Sequence, residues 1–254
     1  MKQFSTPVVL GRAFALALLL LVPGLARADE VRVAVAANFT AAAKEIGALF
    51  EKASGHTVVF SFGSTGQLYT QIGQGAPFDV FLAADQARPE KALAEGLAVE
   101  GSRFTYAQGR IVLFSKDAGL VEGPETLKAG GFQKIAIANP ETAPYGAAAV
   151  ETMKALGVYE ALQPKIVQGG NIAQTFQFVD TGNAELGFVA LSQVAGGDAG
   201  SRWVVPGDLY SPIAQDAVLL KLGEGNEAAG VFVAFLKGAE ARAVKERYGY
   251  GAGD

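Results

Sequence analysis

Short apolar runs with strand character alternate with amphipathic helical runs along most of this chain, and each change of period falls on a Gly, Asn, Ser or Pro turn signal. Residues 31–36 read as a buried strand. Residues 40–53 read as a helix with Ile46, Leu49 and Phe50 on one face, ended by Gly55. Residues 58–62 give a second strand, 65–72 a helix, 78–83 a third strand and 87–94 another helix. Three strand–helix units in so short a stretch leave no room for hairpins between them. The implied class is α/β, with parallel strands covered by helices.

From Arg103 the pattern changes. Residues 103–106 and 111–114 are expected to be extended segments around Gln108-Gly109, crossing into a second lobe. That lobe repeats the alternation: strand 135–138, helix 145–156, strand 165–167, helix 172–179, strand 186–190 and a closing segment at 204–206. A return strand at 217–221 precedes helices at 227–237 and 239–248. The expected architecture is two α/β lobes joined by two extended crossings. Residues 29–107 with 212–254 form lobe 1, and residues 108–211 form lobe 2. A ligand cleft then lies between the lobes, where strand C-ends face each other.

The first 28 residues read as an export signal. Lys2 and Arg12 make a positive start, residues 13–22 are apolar, and Ala26-Arg27-Ala28 fits a small-x-small cleavage point, so the mature chain is expected to begin at Asp29. The apolar run is half of the roughly 20 residues needed to cross a bilayer. Loss of Lys2, Arg12 and Arg27 with no acid takes the formal charge from −4 to −7. Such a surface disfavours nucleic acid and anionic membranes. With no Cys there is neither a disulfide framework, nor a thiolate, nor a lipidation point, and a single His makes a transition-metal cation site unsupported.

Four strand–helix junctions carry the chemistry: Ala37-Asn38, Gly63-Ser64-Thr65-Gly66, Pro144-Tyr145-Gly146 and Gly170-Asn171-Ile172. None contains Lys, Arg, Asp or Glu. A helix N-terminus leaves backbone N–H groups unpaired and carries a partial positive charge, so several converging on one point would hold an anion without a cationic side chain. A fully deprotonated tetrahedral oxyanion only accepts hydrogen bonds, and a ring of neutral donors suits it. Hydrogen phosphate carries a proton and rewards a carboxylate acceptor, which these junctions lack. Molybdate, tungstate and sulfate therefore stay open. Blander readings exist for each residue: Asn38 and Thr65 as helix caps, Tyr145 as a packed aromatic, Gly63 and Gly66 as turn formers, Asp79 and Asp85 as turn or helix-end partners.

Taken in order, several segments resemble the periplasmic molybdate-binding proteins of ABC transporters. They are Val35-Ala36-Ala37-Asn38-Phe39, Phe62-Gly63-Ser64-Thr65-Gly66 and Gly75 through Asp85. Further on come Gly101-Ser102-Arg103-Phe104-Thr105-Tyr106-Ala107, Asn139-Pro140 through Gly146, Leu186-Gly187-Phe188-Val189-Ala190, and the C-terminal Arg247-Tyr248-Gly249-Tyr250. The resemblance implies a two-lobed class II periplasmic-binding-protein fold, molybdate with tungstate as ligand, no cofactor, an inner-membrane ABC permease as partner, and a monomer. It places ligand contacts at Asn38 (side-chain amide and backbone N–H), Thr65 (hydroxyl), Tyr145 and Ile172 (backbone N–H), with Ala37 and Ser64 as secondary candidates. Molybdenum would be held as its oxyanion through these residues and not as a bare cation. Some relatives place a ligating Tyr after the late strand where this chain has Ala190, and the Tyr145 phenol is expected to replace it.

The competing class is a secreted serine hydrolase, since Ser64, His56 and an acid such as Asp79 supply triad residue types. Geometry opposes it. His56 begins the strand that Ser64 ends, roughly 25 Å away by strand rise, and Gly63-Ser64-Thr65-Gly66 does not match the G-x-S-x-G elbow.

Overall fold

The computed structural model describes residues 1–3, 29–197 and 199–253, so the apolar run and cleavage point of the expected leader lie outside the described residues. The first lobe opens with β1 (Glu30–Ala36), a 3-10 turn (Ala37–Phe39), α1 (Thr40–Ser54), β2 (Thr57–Gly63), α2 (Thr65–Gly73), β3 (Val80–Leu82), α3 (Ala87–Ala94) and β4 (Phe104–Gly109). The chain crosses at Arg110 into β5 (Ile111–Ser115), α4 (Pro124–Ala129), β6 (Ile135–Ala138), α5 (Pro144–Ala155), α6 (Tyr159–Leu162), β7 (Ile166–Gly169), α7 (Ile172–Asp180), β8 (Leu186–Ala190), α8 (Leu191–Val194) and β9 (Ser201–Val204). It returns through β10 (Ile213–Leu219) to α9 (Glu227–Lys237) and α10 (Ala239–Arg247).

Each lobe holds a five-stranded sheet, ordered β2-β1-β3-β10-β4 and β7-β6-β8-β5-β9. β1, β2 and β3 are parallel, as are β6, β7 and β8. β10 runs antiparallel to β3 and β4, and β5 antiparallel to β8 and β9. The alternating strand–helix units are thus parallel, and the antiparallel strands are those that lie at or beyond the change of pattern at Arg103. A strand arriving from the other lobe enters its sheet from the cleft side, where the parallel strands leave, so it must run against them. For the same reason the return strand begins at Ile213, near the crossing, and not at 217. The last strand of the second lobe likewise spans Ser201–Val204 in place of 204–206, because Pro206 has no N–H to offer the ladder. The helices α4, α6 and α8 were not foreseen, since four to six residues are too few to show a helical period.

Both faces of each sheet are covered, which explains why the strands read as continuous apolar runs. Val31, Val33 and Val35 pack with Phe39, Ile46, Phe50 and Phe232, while Ala34 faces Leu68 and Phe81 on the opposite side. In the second lobe Ile135 and Ile137 point into one core with Leu113 and Phe188, and Ala136 into the other with Val112 and Val189. The larger core of the second lobe also takes in Ala36, Ala37 and Ala84 from the first, so apolar packing continues across the cleft. At the cleft mouth the Gly66 N–H donates to the Thr142 carbonyl at 2.9 Å, and Arg88 reaches the Glu141 carbonyl at 2.9 Å. The lobes are in contact. A Cβ on Gly66 would lie 3.0 Å from Thr142 Cα, so a larger residue would have to push the Thr142 backbone back by a few tenths of an ångström.

Candidate functional site

Because β1, β2, β6 and β7 end at the cleft, the four polar junctions meet there. Ala37, Asn38, Ser64, Thr65, Tyr145 and Ile172 line one small cavity, and the rest of its lining is Ala, Gly and Pro. No charged side chain faces it. All six residues are buried. A larger surface depression lies in the second lobe, but there Asp117, Asp180 and Glu185 outnumber the one cation, Lys116, and disfavour an anion.

Each junction starts a helical segment whose opening N–H groups have no intrahelical acceptor. Thr65 and Ile172 are the first residues of α2 and α7, and Tyr145 is the second of α5, after Pro144. Their backbone N–H groups and the positive ends of three helices of 9 to 12 residues converge on the cavity.

The capping reading is decided residue by residue. Asn171 does cap α7, its Oδ1 accepting from the Ala173 and Gln174 N–H groups at 3.0 Å. Ser64 sits at the N-cap of α2 and makes no capping bond. Its hydroxyl is buried and has no partner, one of two such side-chain atoms among the described residues. The other is Thr142 Oγ1, opposite Gly66 at the cleft mouth. Thr65 does not cap either: its Oγ1 accepts the Ala84 N–H at 3.0 Å, which leaves the hydroxyl proton available.

Asn38 is turned differently from the expectation that its amide faces the ligand. Nδ2 donates to Gln215 Oε1 at 2.8 Å and to the Tyr250 hydroxyl at 3.1 Å, with the Tyr145 hydroxyl at 3.4 Å. Two amide protons are thus committed to the protein, and the backbone N–H is what Asn38 offers the cavity. Its carbonyl accepts from Tyr250 at 2.8 Å and from Ser192 of the second lobe at 2.9 Å. The Tyr145 hydroxyl accepts from Gln215 Nε2 at 3.2 Å. Burial pushes the Tyr145 phenol well above its ordinary pKa, with the neighbouring Tyr250 and Tyr106 adding to the effect, so it stays a neutral donor.

Gln215, Tyr106, Tyr250 and Ser192 were missed as members of the site. A Gln-Asp pair inside the otherwise apolar strand Ile213–Leu219 was the one local signal, since a buried polar residue requires a partner. The triad types do not assemble: His56 Nδ1 accepts the Asp29 N–H at 3.2 Å, the Asp79 carboxylate accepts the Arg32 N–H at 2.7 Å, and neither lines the cavity. Among the described residues no cluster of His, Cys, Asp and Glu could hold a metal ion, and no helix is long and apolar enough to cross a membrane.

Residues 31–251 match the family of bacterial extracellular solute-binding proteins. A molybdate-binding protein of Rhodobacter capsulatus is 54% identical over 98% of this chain and 99% of its own length. One from Azotobacter vinelandii is 57% identical over 89% and 91%. The solved periplasmic molybdate-binding protein of Azotobacter vinelandii superposes with a TM-score of 0.84 at 40% identity, over 87% of this chain and 98% of its own.

Proposed function

The chain belongs to the bacterial extracellular solute-binding proteins, and from that premise we propose that it captures molybdate and hands it to an ABC permease. The observation that carries the reading is a cavity between the lobes lined only by neutral groups, with the Ser64 hydroxyl buried there and unpartnered. Such an atom costs stability unless a ligand accepts from it. The molybdate-binding relatives supply the ligand class.

Molybdate is a tetrahedral dianion with four accepting oxygens. The N–H groups of Asn38, Thr65, Tyr145 and Ile172 and the hydroxyls of Ser64, Thr65 and Tyr145 would donate to them, while the helix N-termini offset the charge. In a water-poor site such charge–dipole interactions are stronger than in solution. Hydrogen phosphate would bring an O–H into a site without a carboxylate acceptor and so bind poorly. Tungstate, of equal charge and shape, would bind as well.

Donors come from both sides of the cleft, so only the closed form satisfies the ligand fully, and binding shifts the lobes toward closure. The moving bodies on this reading are residues 29–107 with 212–254, and residues 108–211. The ligand leaves chemically unchanged, no cofactor takes part, and the protein acts as a monomer in the periplasm after cleavage behind Ala28.

Calorimetric titration of the chain from Asp29 with molybdate, tungstate, sulfate and phosphate tests the proposal. Tight binding of the first two and none of phosphate is expected; equal binding of phosphate, or no binding of molybdate, overturns it.

A further inference from the structure

Gln215 stands behind the cavity and does not line it. It is fully buried on β10, beside a register shift in the pairing with β4 that falls between Gln215 and Asp216. Its Oε1 accepts from Asn38 Nδ2 at 2.8 Å and from the Tyr106 hydroxyl at 3.0 Å. With the carbonyl end fixed by two donors, the amide end is aimed at Tyr145, whose hydroxyl it meets at 3.2 Å. Asn38 Nδ2 approaches the same oxygen at 3.4 Å.

The Tyr145 hydroxyl therefore accepts the Gln215 N–H, while the two Asn38 amide protons go to Gln215 Oε1 and the Tyr250 hydroxyl and Nδ2 only stands against it, and among the described residues no acceptor takes the Tyr145 proton. That proton is left for the cavity. Room for the meeting comes from Gly109 at the first crossing: a Cβ there would overlap the Tyr145 hydroxyl and lie 2.6 Å from Gln215 Nε2.

We propose that Gln215 is a positioning residue that makes the Tyr145 hydroxyl an obligate donor, so that this position accepts only a deprotonated ligand oxygen. A free hydroxyl could turn to accept from a protonated oxyanion. One that accepts from Gln215 Nε2, with the Asn38 amide nitrogen standing against the same oxygen at 3.4 Å, is held with its proton toward the cavity. Discrimination against hydrogen phosphate is then built into the protein behind the site as well as into the absence of carboxylates around it.

The inference rests on the molybdate reading of the cavity, and a double-mutant cycle separates the two. Molybdate dissociation constants are measured for the parent, Gln215→Met, Tyr145→Phe and the double variant. Each single change should weaken binding about ten-fold or more, and the double variant should bind within about two-fold of Tyr145→Phe, because Gln215 acts through that hydroxyl. Should Gln215→Met not fold, Tyr106→Phe serves in its place: it removes one of the two bonds that orient Gln215 from a residue outside the cavity lining. Its several-fold loss should vanish in the Tyr145→Phe background. Penalties that multiply, or a Gln215→Met constant within two-fold of the parent, overturn this proposal alone. A parent that binds no molybdate overturns it together with the functional reading.

Discussion

Replacing Ser64 by Ala separates a ligand donor from a structural hydroxyl by the sign of two effects. The Ser64 Oγ is buried and bonded to nothing, so its removal takes away no contact of the ligand-free protein. Ligand-free stability should stay at or above that of the parent, because a buried unpaired polar atom costs about 1–3 kcal/mol. In the complex the same hydroxyl donates to a charged oxygen, worth about 1.5–3 kcal/mol, so the dissociation constant should rise roughly ten- to hundred-fold. At molybdate one hundred times the parental dissociation constant, the parent gains about 2.7 kcal/mol. A thirty-fold weaker variant at that concentration gains about 0.9 kcal/mol. With about 2–4 °C per kcal/mol for a chain of this size, the ligand-induced shift in melting temperature should drop from about 5–11 °C to about 2–4 °C. Differential scanning fluorimetry with and without molybdate reads both numbers. A ligand-free melting point below that of the parent, with a dissociation constant unchanged within two-fold, would refute the reasoning and return Ser64 to a structural role.

Thr65→Ala strips the buried Ala84 N–H of its acceptor, so here ligand-free stability should fall by about 1–3 kcal/mol in chemical denaturation as molybdate affinity falls too. Ile172→Val keeps the backbone N–H and should leave the calorimetric dissociation constant within about two-fold of the parent, since only one methylene is lost. Gly66→Ala places a Cβ 3.0 Å from Thr142 Cα and should hold the lobes apart: small-angle scattering should show the parent compacting with molybdate and the variant not doing so. Lys245 has its pKa lowered from 10.5 to about 8, first by burial and then by Arg242. The unfolded chain thus binds more protons between those values, and thermal stability should rise with pH across that window; in Lys245→Met that component of the slope should be gone. Its Nζ also donates to the Tyr106 carbonyl at 2.7 Å, so the diagnostic is the slope and not the absolute melting point.

What the sequence determined by itself was local. The period of two or 3.6 in the apolar residues defined β1 through α3 and, α6 apart, the β6 to β8 segment to within two residues at each end, because the central strands of both sheets are covered on both faces and read as apolar runs. The neutral turn residues between strands and helices announced donors without charge, which is a property of residue type and needs no coordinates. The six candidate residues consequently meet in one cavity. Tertiary structure decided which atom of each residue faces that cavity. Whether Asn38 offers its amide or its backbone depends on Gln215 and Tyr250, which are 177 and 212 residues away in the chain. The direction of the Tyr145 proton depends on a partner 70 residues later. The reversal of β5 and β10 follows from where the chain crosses between lobes, and the contact of Gly66 with Thr142 exists only once both lobes have folded and met. Hydrogen-bond polarity is a property of the assembled network: a hydroxyl or an amide can serve either way until its neighbours are in place, and those neighbours come from parts of the chain that no local window contains.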